Sequence, residues 1–140
     1  MANDFQEWLN QYGLVEAFTT QAGDTLYTNR QKKFGVLRKK GEYGVQSFYL
    51  DDIVGLNVYD DENLIVEWDC LSSLRALPRS TRFSTNEVYM EIRLKNQFII
   101  RLQIFRAVND NISRDSNDHV RLYSYACQLA QIVYNCATGR

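Results

Sequence analysis

The run Glu87-Val-Tyr-Met-Glu-Ile-Arg-Leu94 alternates without a break. Val88, Met90, Ile92 and Leu94 fall on one side, and Glu87, Tyr89, Glu91 and Arg93 on the other. Side chains along an extended chain point to opposite faces in turn, so the run predicts a half-buried strand. Lys95-Asn-Gln97 turns the chain into a second such run, Phe98 to Phe105, in which Ile100, Leu102 and Ile104 alternate with Ile99, Arg101 and Gln103. A hairpin with one apolar face needs a second layer to cover that face. The end of the chain can supply it. Between Asp118 and Thr138, Leu122, Ala126, Leu129, Val133 and Ala137 recur at helical spacing, and Ala130 and Ile132 widen the stripe. Asp118 and Arg121 are the only strongly charged residues in this stretch, so the helix must lie against something apolar. Ser116 or Asn117 can cap its start and Gly139 its end.

Further short β-rich runs precede the hairpin, separated by turn signals: Thr25–Thr28, Phe34–Leu37, Val45–Leu50, Ile53–Tyr59 and Leu64–Trp68. Close spacing of this kind argues for an antiparallel sheet or barrel of about seven strands. Residues 69–85 carry no clear period and hold the only proline, Pro78. They are expected to form a long loop with one helical turn at Ser72 to Leu77. Residues 108–117 are polar and rich in Asn and Asp, hence a loop. The N-terminus predicts a short helix, with Asn3 or Asp4 as cap, an apolar stripe of Phe5, Trp8 and Leu9, and Gly13 at its end. The fold class is therefore α+β. One domain is expected over 1–140: N-terminal helix and connector in 1–23, β-sheet in 24–106, capping helix in 118–138. At 140 residues with 45% hydrophobic side chains, the chain can bury a core without disulfide staples.

Three cysteines, Cys70, Cys127 and Cys136, are an odd count without CxxC spacing. Cys127 and Cys136 lie about 13 Å apart along one helix, too far to bridge. Free thiols fit a reducing compartment. With no apolar N-terminal leader and no run of about 20 apolar residues, the expectation is a cytoplasmic protein. The formal net charge of −1 excludes a globally basic nucleic-acid binder. That total conceals two blocks. Arg30, Lys32, Lys33, Arg38, Lys39 and Lys40 occur together without an acid, and Asp51, Asp52, Asp60, Asp61, Glu62, Glu67 and Asp69 occur together without a base. The basic block can bind an anion: a lipid headgroup, a nucleic-acid backbone or an acidic protein. It can equally be a set of solvated turns that guard a strand edge. The acidic block reads as turn chemistry, because it lacks the spaced oxygen ligands of a calcium loop.

Catalysis has little to draw on. The only histidine, His119, falls in the first turn of the last helix, where a surface or capping role is expected. Asp69 with Glu91 and Arg93 is a faint nuclease-like pattern, but arginine does not release a proton to activate water. No phosphate-cradling glycine loop occurs. The expectation is no enzyme, no cofactor and no metal. Tyr89, Glu91 and Arg93 share one side of their strand, and a Tyr–Arg surface is suited to protein contacts.

The run Phe48-Tyr-Leu-Asp-Asp-Ile-Val-Gly-Leu-Asn-Val-Tyr-Asp-Asp-Glu62, the late hairpin 87–105 and the closing helix together resemble the bacterial pleckstrin-homology-like and GRAM-like domains of the type associated with SHOCT modules. The resemblance covers about residues 24–138. It implies a strongly bent antiparallel sheet or barrel capped by the C-terminal helix, and a binding or scaffold module with no catalytic set. The function expected with it is contact with a protein partner, a second copy of the chain being one alternative, through an edge strand or the face of Tyr89, Glu91 and Arg93. The size and the resemblance together suit a regulator or inhibitor of a host system carried by a mobile element. In the pleckstrin-homology superfold the first hairpin holds anionic headgroups, which makes Arg30, Lys32, Lys33, Arg38, Lys39 and Lys40 the alternative site.

Overall fold

A computed structural model of the chain describes residues 4–42 and 44–139. In chain order the elements are α1 (Asp4–Gln11), β1 (Val15–Thr19), β2 (Thr25–Asn29), β3 (Phe34–Arg38), β4 (Val45–Tyr49), a 3₁₀ turn (Leu50–Asp52), β5 (Ile53–Asp60), β6 (Asn63–Asp69), β7 (Arg75–Ala76), β8 (Ser84–Thr85), β9 (Glu87–Leu94), β10 (Ile99–Arg106), β11 (Ile112–Ser113) and α2 (Asn117–Thr138). The class is α+β, and every strand pairing is antiparallel.

The strands do not form one curled sheet or close into a barrel. They make a four-stranded sheet in the order β1-β2-β3-β4, a five-stranded sheet in the order β10-β9-β5-β6-β7, and a two-stranded ladder of β8 with β11. The seven strands anticipated from periodicity are β2 to β6, β9 and β10. The connector assigned to residues 1–23 contains a further strand, β1. No helical turn forms at Ser72 to Leu77: Arg75 and Ala76 pair with β6, and the Leu77 N–H donates to the Ile65 carbonyl. Of the two caps anticipated for α1, Asn3 lies outside the described residues.

One core cluster joins both sheets to α2. Leu26, Leu37, Phe48 and Leu50 come from the first sheet and its corner. Leu56, Val58, Val66, Met90, Ile92, Leu102 and Ile104 come from the second, and Leu122, Ala126, Leu129, Ala130 and Val133 from α2. These α2 residues are those of the anticipated stripe, with Cys136 replacing Ala137 as the last buried position. A smaller cluster lies on the other face of the first sheet, where Leu9, Leu14 and Val36 pack with Phe5, Trp8, Tyr27 and Phe34. The stripe of α1 thus covers the first sheet from outside. The first sheet is covered on both faces and the second on one.

Asp24 ties the sheets together where no strand pairing does. Its carboxylate is buried and accepts the Lys40 N–H (3.0 Å) from the first sheet and the Gln103 N–H (2.8 Å) from β10. Thr20 completes the link by donating its hydroxyl to the Gln103 carbonyl at 2.6 Å. The pairing of β10 with β9 shifts register between Gln103 and Phe105, so β10 is bulged beside this contact. Asp24→Ala leaves two inward-facing N–H groups without partners. The expected loss is about 2–4 kcal/mol of unfolding free energy, measured by urea denaturation.

Candidate functional site

The solvent-side face of the second sheet carries three cross-strand rows. Arg101, Glu91, Asn57, Glu67 and Arg75 face one another across β10, β9, β5, β6 and β7. On one side of that row lie Gln103, Tyr89, Tyr59 and Leu64, and on the other Ile99, Arg93, Gly55 and Asp69. The rings of Tyr59 and Tyr89 stack at 5.2 Å with 25° between their planes. The Arg101 guanidinium lies 3.7 Å above the Tyr89 ring centroid. Arg75 is ion-paired with Glu67. Gln103 donates to the Glu87 carboxylate at 3.0 Å.

Arg93 folds down over Gly55 and donates to the Trp68 carbonyl at 3.1 Å. Any Cβ at position 55 would collide with that guanidinium, so the bare backbone of glycine is what seats the arginine. The Asn57 amide, oriented with its nitrogen donating to the Leu56 carbonyl (2.8 Å), accepts from Arg93 (3.0 Å) and from the Tyr59 hydroxyl (3.2 Å). Beside this group a cleft of about 640 Å³ is lined by Asn57, Glu67, Trp68, Asp69, Ser72, Arg75 and Arg93. Tyr89, Glu91 and Arg93, the contact residues expected from the sequence, therefore share one prearranged face. Sequence reasoning missed Tyr59, Asn57, Gly55, Glu67, Arg75 and Arg101 as members of it. The polar phase of β5, β6 and β10 carried the signal, but their register against β9 did not follow from periodicity.

The basic block is divided. Arg30, Lys32 and Lys33 occupy the β2–β3 turn, and Arg38, Lys39 and Lys40 the far end of β3, about 13 Å away along the strand. Arg30 donates to the Asn135 carbonyl at 3.1 Å, at the electronegative end of α2. Lys33 pairs with Asp51 at 3.3 Å, and both side chains are exposed. Arg38 lies 4.3 Å above the Phe5 ring centroid. Lys39 and Lys40 line a cleft of about 400 Å³ with Arg106, and Lys39 lines another of about 400 Å³ with Arg101. Two β10 arginines thus join one half of the block, while the other half lies elsewhere.

His119 is neither a surface residue nor a simple cap. It is 2% exposed and sits in a buried ion cluster. Ser116 caps α2, its hydroxyl accepting the His119 N–H at 3.2 Å, which sets the imidazole against the end of β5. His119 Nε2 is 2.8 Å from Asp60 Oδ2, and His119 Nδ1 is 2.9 Å from the Arg79 guanidinium. A guanidinium only donates, so Nδ1 accepts and Nε2 holds the ring proton and donates to Asp60. Asp60 also accepts from the Thr85 hydroxyl (2.5 Å) and from Arg114 Nε (3.2 Å) and Nη2 (3.1 Å). Arg114 reaches Asp61 at 3.0 Å and the Arg82 carbonyl at 3.1 Å. Every buried side-chain nitrogen and oxygen among the described residues has a partner. With both ring nitrogens occupied, His119 positions chain segments rather than a substrate. Burial pushes the Cys127 and Cys136 thiols up, away from the thiolate form a nucleophile needs.

Among the described residues no three His, Cys, Asp or Glu side chains converge as a metal site, and no helix is long and apolar enough to cross a membrane. Comparison with family models, with curated proteins and with solved structures finds no match. The residues themselves carry the functional argument. Asp60→Ala leaves Arg114 buried without its main counter-charge. It is expected to cost about 3–5 kcal/mol in chemical denaturation, several times the effect of removing the exposed Arg121–Asp118 pair.

Proposed function

We propose that the chain is a non-enzymatic binding module that meets a protein partner through the outer face of the second sheet. The observation that carries this reading is the Tyr59–Tyr89 stack with Arg101 lying on it, with Glu91 in the adjacent row and Arg93 in the next, and left uncovered by either helix. Tyrosine and arginine bury large contact area while keeping a polar tip satisfied, and here they are already held in place by their neighbours. Little ordering entropy remains to be lost on binding. The committed imidazole, and the burial that raises the pKa of the Cys127 and Cys136 thiols, favour binding over catalysis. In this reading the module regulates or inhibits its partner by occupying the partner's surface. The pleckstrin-homology-like affiliation belongs to the same proposal. Its support is the order of antiparallel strands followed by a closing helix, without a closed barrel.

The test is affinity capture from the native cell lysate with wild type and with Arg101→Glu, at an exposed position. The expected result is a partner held by wild type and weakened roughly 30-fold or more by the variant, on the scale of an interface hot spot. Retention of every captured protein by both would remove the outer face from consideration.

A second reading rests on a separate observation, the clefts that Lys39 and Lys40 share with Arg106, Lys39 with Arg101, and both lysines with Arg38. If these hold a phosphate-rich ligand, binding to single-stranded nucleic acid or anionic vesicles falls steeply with salt and is lost in Lys39→Glu/Lys40→Glu. Lys32→Glu, at the opposite end of β3, leaves it unchanged. Absence of binding at low salt eliminates this reading.

A further inference from the structure

The two sheets present four edges, and three of them are blocked. β1 is bulged between Glu16 and Phe18 and carries the Glu16 charge. β7 is two residues long. β10 is bulged and bridged by Thr20, Ala22 and Asp24. These are the usual devices by which proteins keep sheet edges from pairing with other chains. β4 has none of them. Its sequence, Val45-Gln-Ser-Phe-Tyr49, holds no charge and no proline, and its register with β3 runs uninterrupted from Phe34↔Tyr49 to Arg38↔Val45.

The free edge of β4 can be mapped group by group. The Leu50 N–H donates to the Lys33 carbonyl at 2.8 Å, which makes 33/50 a hydrogen-bonded pair of the ladder. Such pairs alternate along antiparallel strands, so Gly35/Phe48 and Leu37/Gln46 are the bonded pairs within β3–β4. The N–H and C=O groups of Val45, Ser47 and Tyr49 therefore point outward. Val45 is 38% and Tyr49 61% exposed, large values for apolar and aromatic side chains in a strand, and Ser47 between them is exposed as well.

We propose that the chain forms a homodimer by antiparallel pairing of β4 with β4 of a second copy, across a two-fold axis at Ser47. This goes beyond the binding reading above and uses the β4 edge, which borders the outer face at the cleft that Val45 and Gln46 share with Ile99 and Arg101. Centring on Ser47 sets Val45 opposite the second copy's Tyr49, and Tyr49 opposite its Val45. A β-branched residue facing an aromatic is a favourable cross-strand pair, and here the pairing is self-complementary. The same centring joins every outward N–H to an outward C=O, giving about six hydrogen bonds. Phe34 and Tyr49, whose rings meet edge to face at 5.9 Å, continue the aromatic layer beneath α1 into the second copy.

Charge selects this partner and this direction. Beyond Tyr49 the chain runs into Asp51 and Asp52. Opposite Val45 on β3 stands Arg38, and Lys39, Arg101 and Glu42 line a cleft with Val45, so this end carries a net positive charge. Antiparallel pairing across the two-fold carries each acidic end to the other copy's basic end, whereas parallel pairing would set like against like. The exposed Lys33–Asp51 pair can exchange partners at little cost.

The test is the mass of the full chain in solution, by light scattering and sedimentation, up to about 1 mM, where even a millimolar Kd shows clearly. Wild type is expected to shift from monomer toward dimer with concentration. Ser47→Pro removes an N–H that the monomer's own ladder does not use, and proline is tolerated at such edge positions. Ser47→Lys sets two ammonium groups together at the axis. Both are expected to weaken association at least tenfold with unchanged circular dichroism. As a check independent of those variants, Ser47→Cys in a Cys70→Ser background is expected to form a disulfide-linked dimer under mild oxidation, because residues paired at the axis lie within bridging distance. A wild type monomeric throughout, a dimer indifferent to both Ser47 substitutions, or no cross-link in the Ser47→Cys chain would each overturn the proposal.

Discussion

The Asp60 carboxylate is the point on which the arrangement of the second half of the chain depends. It lies at the end of β5 and is 2% exposed. It takes hydrogen bonds from Thr85 in β8, Arg114 just after β11 and His119 in the first turn of α2. None of these groups can be buried without the others, because an isolated charge in the interior costs several kcal/mol. The loop through Arg79 and Arg82, the β8–β11 ladder and the start of α2 are therefore fixed together. The apolar stripe of α2 makes the helix adhere to the sheet, and the ion cluster decides where along the sheet it starts.

The division of labour between the sheets follows from how each is covered. The first has α1 on one face and the core on the other, so its remaining contact capacity lies in its edges. The second has the core on one face only, so its capacity lies in the other face. That face is polar yet ordered, with arginines held by an aromatic ring, a backbone carbonyl and carboxylates rather than extended into solvent. The β4 pairing proposed above would set two copies of this face on one particle, and two linked faces raise apparent affinity for a repeated partner without any new contact.

Much of this architecture was legible in the sequence, and the failures have identifiable causes. Strict alternation placed β9 and β10 and sorted their buried from their outward residues, and helical spacing placed α2. β1 escaped because its bulge at Glu16/Phe18 resets the two-residue period and leaves Phe18 as the only fully buried side chain. β7, β8 and β11 are two residues each, too short to show any period. The burial of His119 could not be read locally, since its partners Arg79 and Asp60 lie 40 and 59 positions away. The six basic residues looked like one site because they are neighbours in sequence, but β3 carries its two ends apart. The Tyr89, Glu91 and Arg93 face was visible in outline, whereas its completion by Arg101, Tyr59 and Asn57 required the strand register.

Helix α2 is fastened at both ends. At its start Ser116 and His119 engage the chain and the sheet. At its finish Gly139 in the left-handed conformation donates back to the Asn135 carbonyl, which also accepts Arg30 from the β2–β3 turn. Helices ordinarily loosen first at their termini, where backbone groups lack partners. With both ends secured to different sheets, peeling has no easy place to begin. The interior of this protein is thus closed by a bolted beam rather than a hinged cover.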